Sequence, residues 1–223
     1  YAINEVRKPA HEDEQFYILA ALLLFAGFIR ALYPKYFSAL FGIFFQSAQR
    51  QAKENIAQEA LPSFLMNLLF VFSGGLLLSS FVKGDDSLQR FSFPLLWLYS
   101  CAALTAIYVV KWLFISFFGW SFSVSEAAKG YRFIVFLVNK VAGLFFLPLL
   151  LILTYSTGAD FTIISTIAVV LVVLLLLYRY IVSVSAVGKK LKIHPVHFFL
   201  YLCAVEILPL LITYKVLLIT KEL

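Results

Sequence analysis

The chain has 223 residues, of which 62% are hydrophobic and only 13% charged, with a formal net charge of +6. That charged share is roughly half of what a soluble domain carries. A mean hydropathy of +0.93 would leave a soluble fold of this size exposing more apolar surface than water tolerates. Soluble globular, disordered and collagen-like classes are thereby excluded, and a polytopic membrane protein remains.

The amino-terminal stretch 1–15 is polar, with Arg7, Lys8 and the acidic run Glu12, Asp13, Glu14. It does not begin with Met, so a leading piece or an upstream span is expected, and nothing in it reads as a signal peptide. From residue 16 to 223 the sequence reads as a single transmembrane helical domain. A spanning helix needs about 20 mostly apolar residues, and six such runs are present: about Phe16–Leu32, Leu61–Phe81, Phe93–Phe118, Phe133–Tyr155, Phe161–Ile181 and Val196–Thr220. Membrane β-strands would alternate in character every second residue over about 10 residues; these runs are continuous and twice as long. The fold class is therefore all-α, a bundle of about six spanning helices.

One or two interfacial helices are expected beside the spans. The first connector, KYFSALFGIFFQSAQRQAKENIAQ, sets Phe37, Phe41, Phe44, Ala48 and Ala52 on one side at helical spacing. Ser38, Gln46, Arg50, Lys53 and Glu54 are free for the other. This pattern suits a helix lying in the head-group plane, or an extension of the first span packed on its neighbours. SVSEAAKGYRF is a shorter piece of similar kind, and AVGKKLKIHP reads as a basic linker. The Ser73-Gly74-Gly75 spot, inside an apolar run, suits close helix packing. No internal repeat of the transporter type is found.

Orientation follows from Lys and Arg near the spans. The odd connectors carry ten: Arg30, Lys35, Arg50, Lys53, Lys129, Arg132, Arg179, Lys189, Lys190 and Lys192. The opposite side carries five: Arg7, Lys8, Lys83, Arg90 and Lys221. The odd connectors are expected to be cytoplasmic and both termini outside. Cys101 and Cys203 both fall in apolar runs at different depths, and both are expected to be free thiols.

No catalytic string is present: no phosphate loop, HExxH, CxxC or GxSxG. No cofactor, metal or catalytic residue is expected. His194 and His197 share one helical face, and Glu206 lies roughly half a turn out of phase with them. These two histidines, with Tyr201, mark a potential interfacial site. Ionisable groups at bilayer depth are more informative, because a charge there is costly unless paired or wetted. Asn67, Lys111, Asn139, Lys140 and Glu206 come from four spans. At about 1.5 Å per residue they fall in one band roughly 9–15 Å from the cytoplasmic boundary. They are expected to form one buried polar layer, with Glu206 as its anion and Lys140 or Lys111 as its partner. A lysine near the interface also has the option of snorkelling.

The string HPVHFFLYLCAVEILPLL, with His194, Tyr201, Cys203, Glu206 and Pro209, resembles an uncharacterised family of polytopic inner-membrane proteins from Bacteroidota, classed as a domain of unknown function. The resemblance implies an inner-membrane location and supplies no activity. By association it brings in that phylum's secretion and gliding machinery.

Three functions are compatible with these features. The first is a non-enzymatic membrane subunit of a cell-envelope complex, whose aromatic runs FGIFF, FISFFGW and HFFLY bind neighbouring helices or lipid. The second is a small solute or proton transporter or channel built on the polar layer. The third is a membrane enzyme acting on lipid. Membrane lipids and other membrane subunits are the expected partners; nucleic acid is not.

Overall fold

The computed structural model describes residues 11–45, 59–82, 92–121, 125–155 and 159–188. Within them the chain is helical except at Tyr33, Glu59 and Ser92, and no strand occurs among the described residues. Six helices follow one another: α1 (His11–Leu32), α2 (Pro34–Phe45), α3 (Ala60–Val82), α4 (Phe93–Ser121), α5 (Ser125–Tyr155) and α6 (Ala159–Gly188). All but α2 are long and apolar enough to cross a membrane. The shortest of those five, α1, reaches about 33 Å, against a hydrocarbon core of about 30 Å. The protein is a multi-pass membrane helix bundle. The sixth expected span, 196–220, lies outside the described residues.

The centre of the bundle is the pair α3 and α5, which pack more extensively than any other two helices. Glycine allows the closeness. A Cβ built on Gly143 of α5 would lie 2.6 Å from the Cα of Phe70, and one on Gly75 of α3 would overlap the sulfur of Cys101 on α4. Removing side chains at these points lets backbones approach where no hydrophobic driving force separates helix from lipid. Leu69, Leu76, Val141 and Leu150 pack into the shared core and are fully buried. Trp97 of α4 donates to the carbonyl of Phe72 on α3 at 3.1 Å, pinning the neighbouring seam. Cys101 is a buried free thiol, as expected; Cys203 lies outside the described residues.

α1 packs on both central helices, α4 flanks α3 and α5, and α6 lies against α5. The outer sides are apolar and open: Trp120 on α4 is 79% exposed, and Leu24, Phe28, Ile167 and Leu174 are exposed as well. Such a surface suits lipid or a neighbouring membrane helix, not water.

Of the two connecting pieces, the first follows one of its two sequence readings and the second departs from its own. The helix break at Tyr33 follows from Pro34, which has no N–H and disfavours helical geometry in the residue before it. Backbone bonds from Tyr33 to Ile29 and from Phe37 to Tyr33 carry the chain through the break. α2 then turns Tyr36, Ala39, Leu40 and Ile43 into the protein, against α5 and α1. The Phe37, Phe41 and Phe44 rings flank that seam half-buried. The first part of the connector is thus a packed extension of α1, and 46–58 lies outside the described residues. SVSEAAKGYRF does not form a separate surface helix: from Ser125 it is the first turns of α5. No proline interrupts it, and Gly130 meets no steric limit on either side.

Candidate functional site

Buried polar side chains gather at both ends of the central pair. At the end where α3 begins, level with the middle of α5, Lys140 of α5 is 4% exposed. Helical side chains lean toward the amino terminus of their own helix. That lean carries the Lys140 ammonium back to Ser63, in the first turn of α3, whose hydroxyl accepts its hydrogen bond at 2.6 Å. The same ammonium lies 5.8 Å from the ring centroid of Tyr36 on α2, within cation–π range. Three helices therefore enclose one cation. Among the described residues, no carboxylate lies within ion-pair distance of it.

Tyr36 is 1% exposed. Its phenol oxygen is buried beside Ser63 without a full hydrogen bond. Burial pushes its pKa up to about 12, the nearby Glu59 carboxylate adds to the rise, and Ser63 partly opposes it. The phenol is thus neutral and a potential donor throughout the physiological range.

The neighbouring residue, Asn139, turns to the other flank of α5. Its Oδ1 accepts a bond from Tyr108 of α4 at 3.2 Å, and the Tyr108 ring stands edge-on to Phe70. Lys111, also buried, lies one turn further along the same side of α4. Asn67 is half-buried on α3, one turn past Ser63. Of the five residues expected in the layer, Asn67, Lys111, Asn139 and Lys140 thus lie on three adjoining helices. Lys140 and Asn139 point to different neighbours. Glu206, His194, His197 and Tyr201 lie outside the described residues.

At the opposite end, Gln15 of α1 donates through its amide nitrogen to Ser80 of α3 and Thr154 of α5, each at 3.1 Å. Ser80 and Thr154 in turn donate to the carbonyls of Leu76 and Leu150, four residues back on their own helices. Sequence reasoning missed this set, and missed Tyr36, Ser63 and Tyr108. Lone Ser, Thr and Tyr residues are common in spans and give no sequence signal of their own. The one usable hint was Gln15, a polar residue at the boundary of an apolar run.

Near the entrance of α5, Arg132 donates to Ser116 of α4 at 2.9 Å and lies 6.0 Å from the Trp112 ring. Tyr178 of α6 donates to the carbonyl of Phe44 on α2, and their rings pack 4.5 Å apart. Among the described residues no three His, Cys, Asp or Glu side chains come together as metal ligands would.

A family model covers nearly all of this architecture, matching residues 15–217. The chain belongs to the DUF4271 family, a domain of unknown function. The matched stretch includes the two polar ends of the bundle and the 194–211 string that carries the sequence resemblance. No curated protein and no solved structure matches the chain.

Proposed function

We propose that this chain is a non-enzymatic integral subunit of a cell-envelope complex in the inner membrane of a Bacteroidota bacterium, with secretion or gliding machinery as its context. The observation that carries the reading is the outward side of α4. There Trp112, Leu113, Phe114, Phe117 and Trp120 are exposed over little more than two turns. Large rigid aromatics offer a neighbouring helix much contact area at little entropic cost. The interior supports the same reading, because its polar groups are largely spent on interhelical hydrogen bonds that hold the bundle together. Its partners are membrane lipids and other membrane subunits. Purification from native membranes in mild detergent should yield a stoichiometric partner that is lost on Trp112→Ala with Phe117→Ala. A monodisperse chain carrying lipid alone would sink the proposal.

A small solute or proton transporter is the second reading, and one observation favours it: the Lys140 cation, enclosed by three helices with no described carboxylate within ion-pair distance. Transport should then fail in Lys140→Met while the protein still inserts and folds.

The proposed orientation puts the first, third and fifth connectors in the cytoplasm and both termini outside. In whole cells an impermeant thiol reagent should label Ser87→Cys and spare Gln51→Cys. The reverse pattern overturns it.

A further inference from the structure

The geometry points to a binding site for an anionic phospholipid where α4 meets α5, with Arg132 and Lys129 taking its phosphate and Trp112 and Trp120 flanking it. Depth is one support. Phe93 opens α4 just after the polar stretch KGDDSLQR, and Tyr155 closes α5 just before STGAD. Those far ends mark one boundary of the bilayer. Ser116 then lies about 35 Å along α4 from Phe93, and Arg132 lies about 35 Å along α5 from Tyr155. A hydrocarbon core about 30 Å thick ends just short of both. The bond from Arg132 to Ser116, at 2.9 Å, therefore sits at the level of the lipid phosphates, and two helices give that level separately.

The chemistry is that of an anion site with donors to spare. A guanidinium has five N–H donors; Ser116 takes one, and the Trp112 ring lies 6.0 Å from the guanidinium carbon. Lys129, one turn earlier on the same side of α5, is exposed. Neither cation makes an ion pair among the described residues. A guanidinium fork and an ammonium one turn away match the several oxygens of a phosphate.

The neighbouring surface selects a lipid over a free phosphate. Trp112, Ser116 and Trp120 follow one another at four-residue spacing on α4, and both indoles are exposed. Tryptophan concentrates at the head-group level of membranes. Deeper along the same side, Val109 and Leu113 are exposed as well, a track on which an acyl chain can lie. A phospholipid joins an anion to such a chain; a free phosphate would use the cations alone. The site occupies the α5 edge of the outward aromatic surface, and it stands whether or not a protein subunit covers the rest.

The full chain in phosphatidylcholine vesicles carrying a minor share of phosphatidylglycerol tests it. Quenching of tryptophan fluorescence by phosphatidylglycerol with brominated chains, set against brominated phosphatidylcholine, reads which lipid lies beside the indoles. The anionic lipid should quench in excess of its share. Arg132→Gln should lower the preference about fivefold, the effect of one basic residue at the membrane surface. Lys129→Gln should lower it in the same direction, and keeps the test open if Arg132→Gln fails to fold. Lys35→Gln, which removes an exposed cation from α2, should leave it unchanged. Equal quenching by the two lipids overturns the proposal, as does a preference that survives both α5 substitutions. Equal losses in all three variants would mark a diffuse attraction to the surface and overturn it too. Loss of the preference on adding inorganic phosphate would assign the site to a free anion and overturn the lipid.

Discussion

At one end of the bundle, Gln15 sets two amide protons against the hydroxyls of Ser80 and Thr154, and those hydroxyls pass their own protons to Leu76 and Leu150. At the other end, Lys140 gives a proton to Ser63, and Ser63 and Tyr36 both have protons left to give. The first set is neutral and closes within the described helices. The second is cationic and has donors in excess. Both tie three helices together. A neutral set of this kind fixes register, because the Gln15 amide protons and both hydroxyls already have partners. A buried cationic set with protons left to give calls for a further acceptor. The candidate site is therefore the Lys140 end, and the Gln15 end is its structural control.

The largest expected effect removes the comparison altogether. Gly143→Val would drive a side chain into the Phe70 backbone, where the Cβ already has only 2.6 Å, and backbone cannot yield as a side-chain tip can. A loss of about 3 kcal/mol is expected, read as a lower midpoint on titration with a denaturing detergent. Both polar ends should come apart together, since α3 and α5 contribute to each.

Ser63→Ala should separate the two ends. It deprives a buried ammonium of its hydrogen bond, a loss of about 2 kcal/mol for a charged partner. Gln15→Leu should cost less, about 1 kcal/mol, because neutral interhelical bonds in membranes are individually weak. Ser80 and Thr154 would also keep their bonds to their own helices. The same titration ranks the two variants; equal losses would abolish the distinction between a cationic and a neutral layer.

At neutral pH, Tyr36→Phe should have the smallest effect, under about 0.5 kcal/mol, because the phenol makes no full hydrogen bond and its ring is kept. Its signature is in alkali. Folding raises the Tyr36 pKa from 10.0 to about 12, so the folded state holds the phenolic proton more tightly than the unfolded one. That contribution is fully present below pH 10.0, and falls away as pH rises toward about 12. The wild-type chain should lose stability across this window more steeply than Tyr36→Phe. Parallel pH profiles for the two would show that Tyr36 titrates as an exposed tyrosine and is no part of the buried set.

Composition and continuous apolar runs were enough to determine the membrane class, the helical fold and the five spans now described, because hydropathy is a local property readable over about 20 residues. The same reading picked out Lys111, Asn139 and Lys140, since a polar residue in an apolar run stands out without any partner being known. The Gly74-Gly75 pair also announced close packing, which Gly75 makes against Cys101. Only the tertiary structure decided what those residues meet. Helices that are apolar nearly all round carry no mark of which side turns inward, so rotation and register are set by contacts between distant segments. Gly143 against Phe70 fixes how α3 and α5 align, and that alignment brings Ser63 to Lys140 across 77 residues of sequence. Pro34 ends α1, but whether α2 then lies on the membrane surface or against the bundle is decided by the burial of Tyr36, Leu40 and Ile43. The choice of Tyr36 as the roof of a buried cation, and of Gln15 as the clamp at the far end, follows from that packing and from nothing in their local sequence.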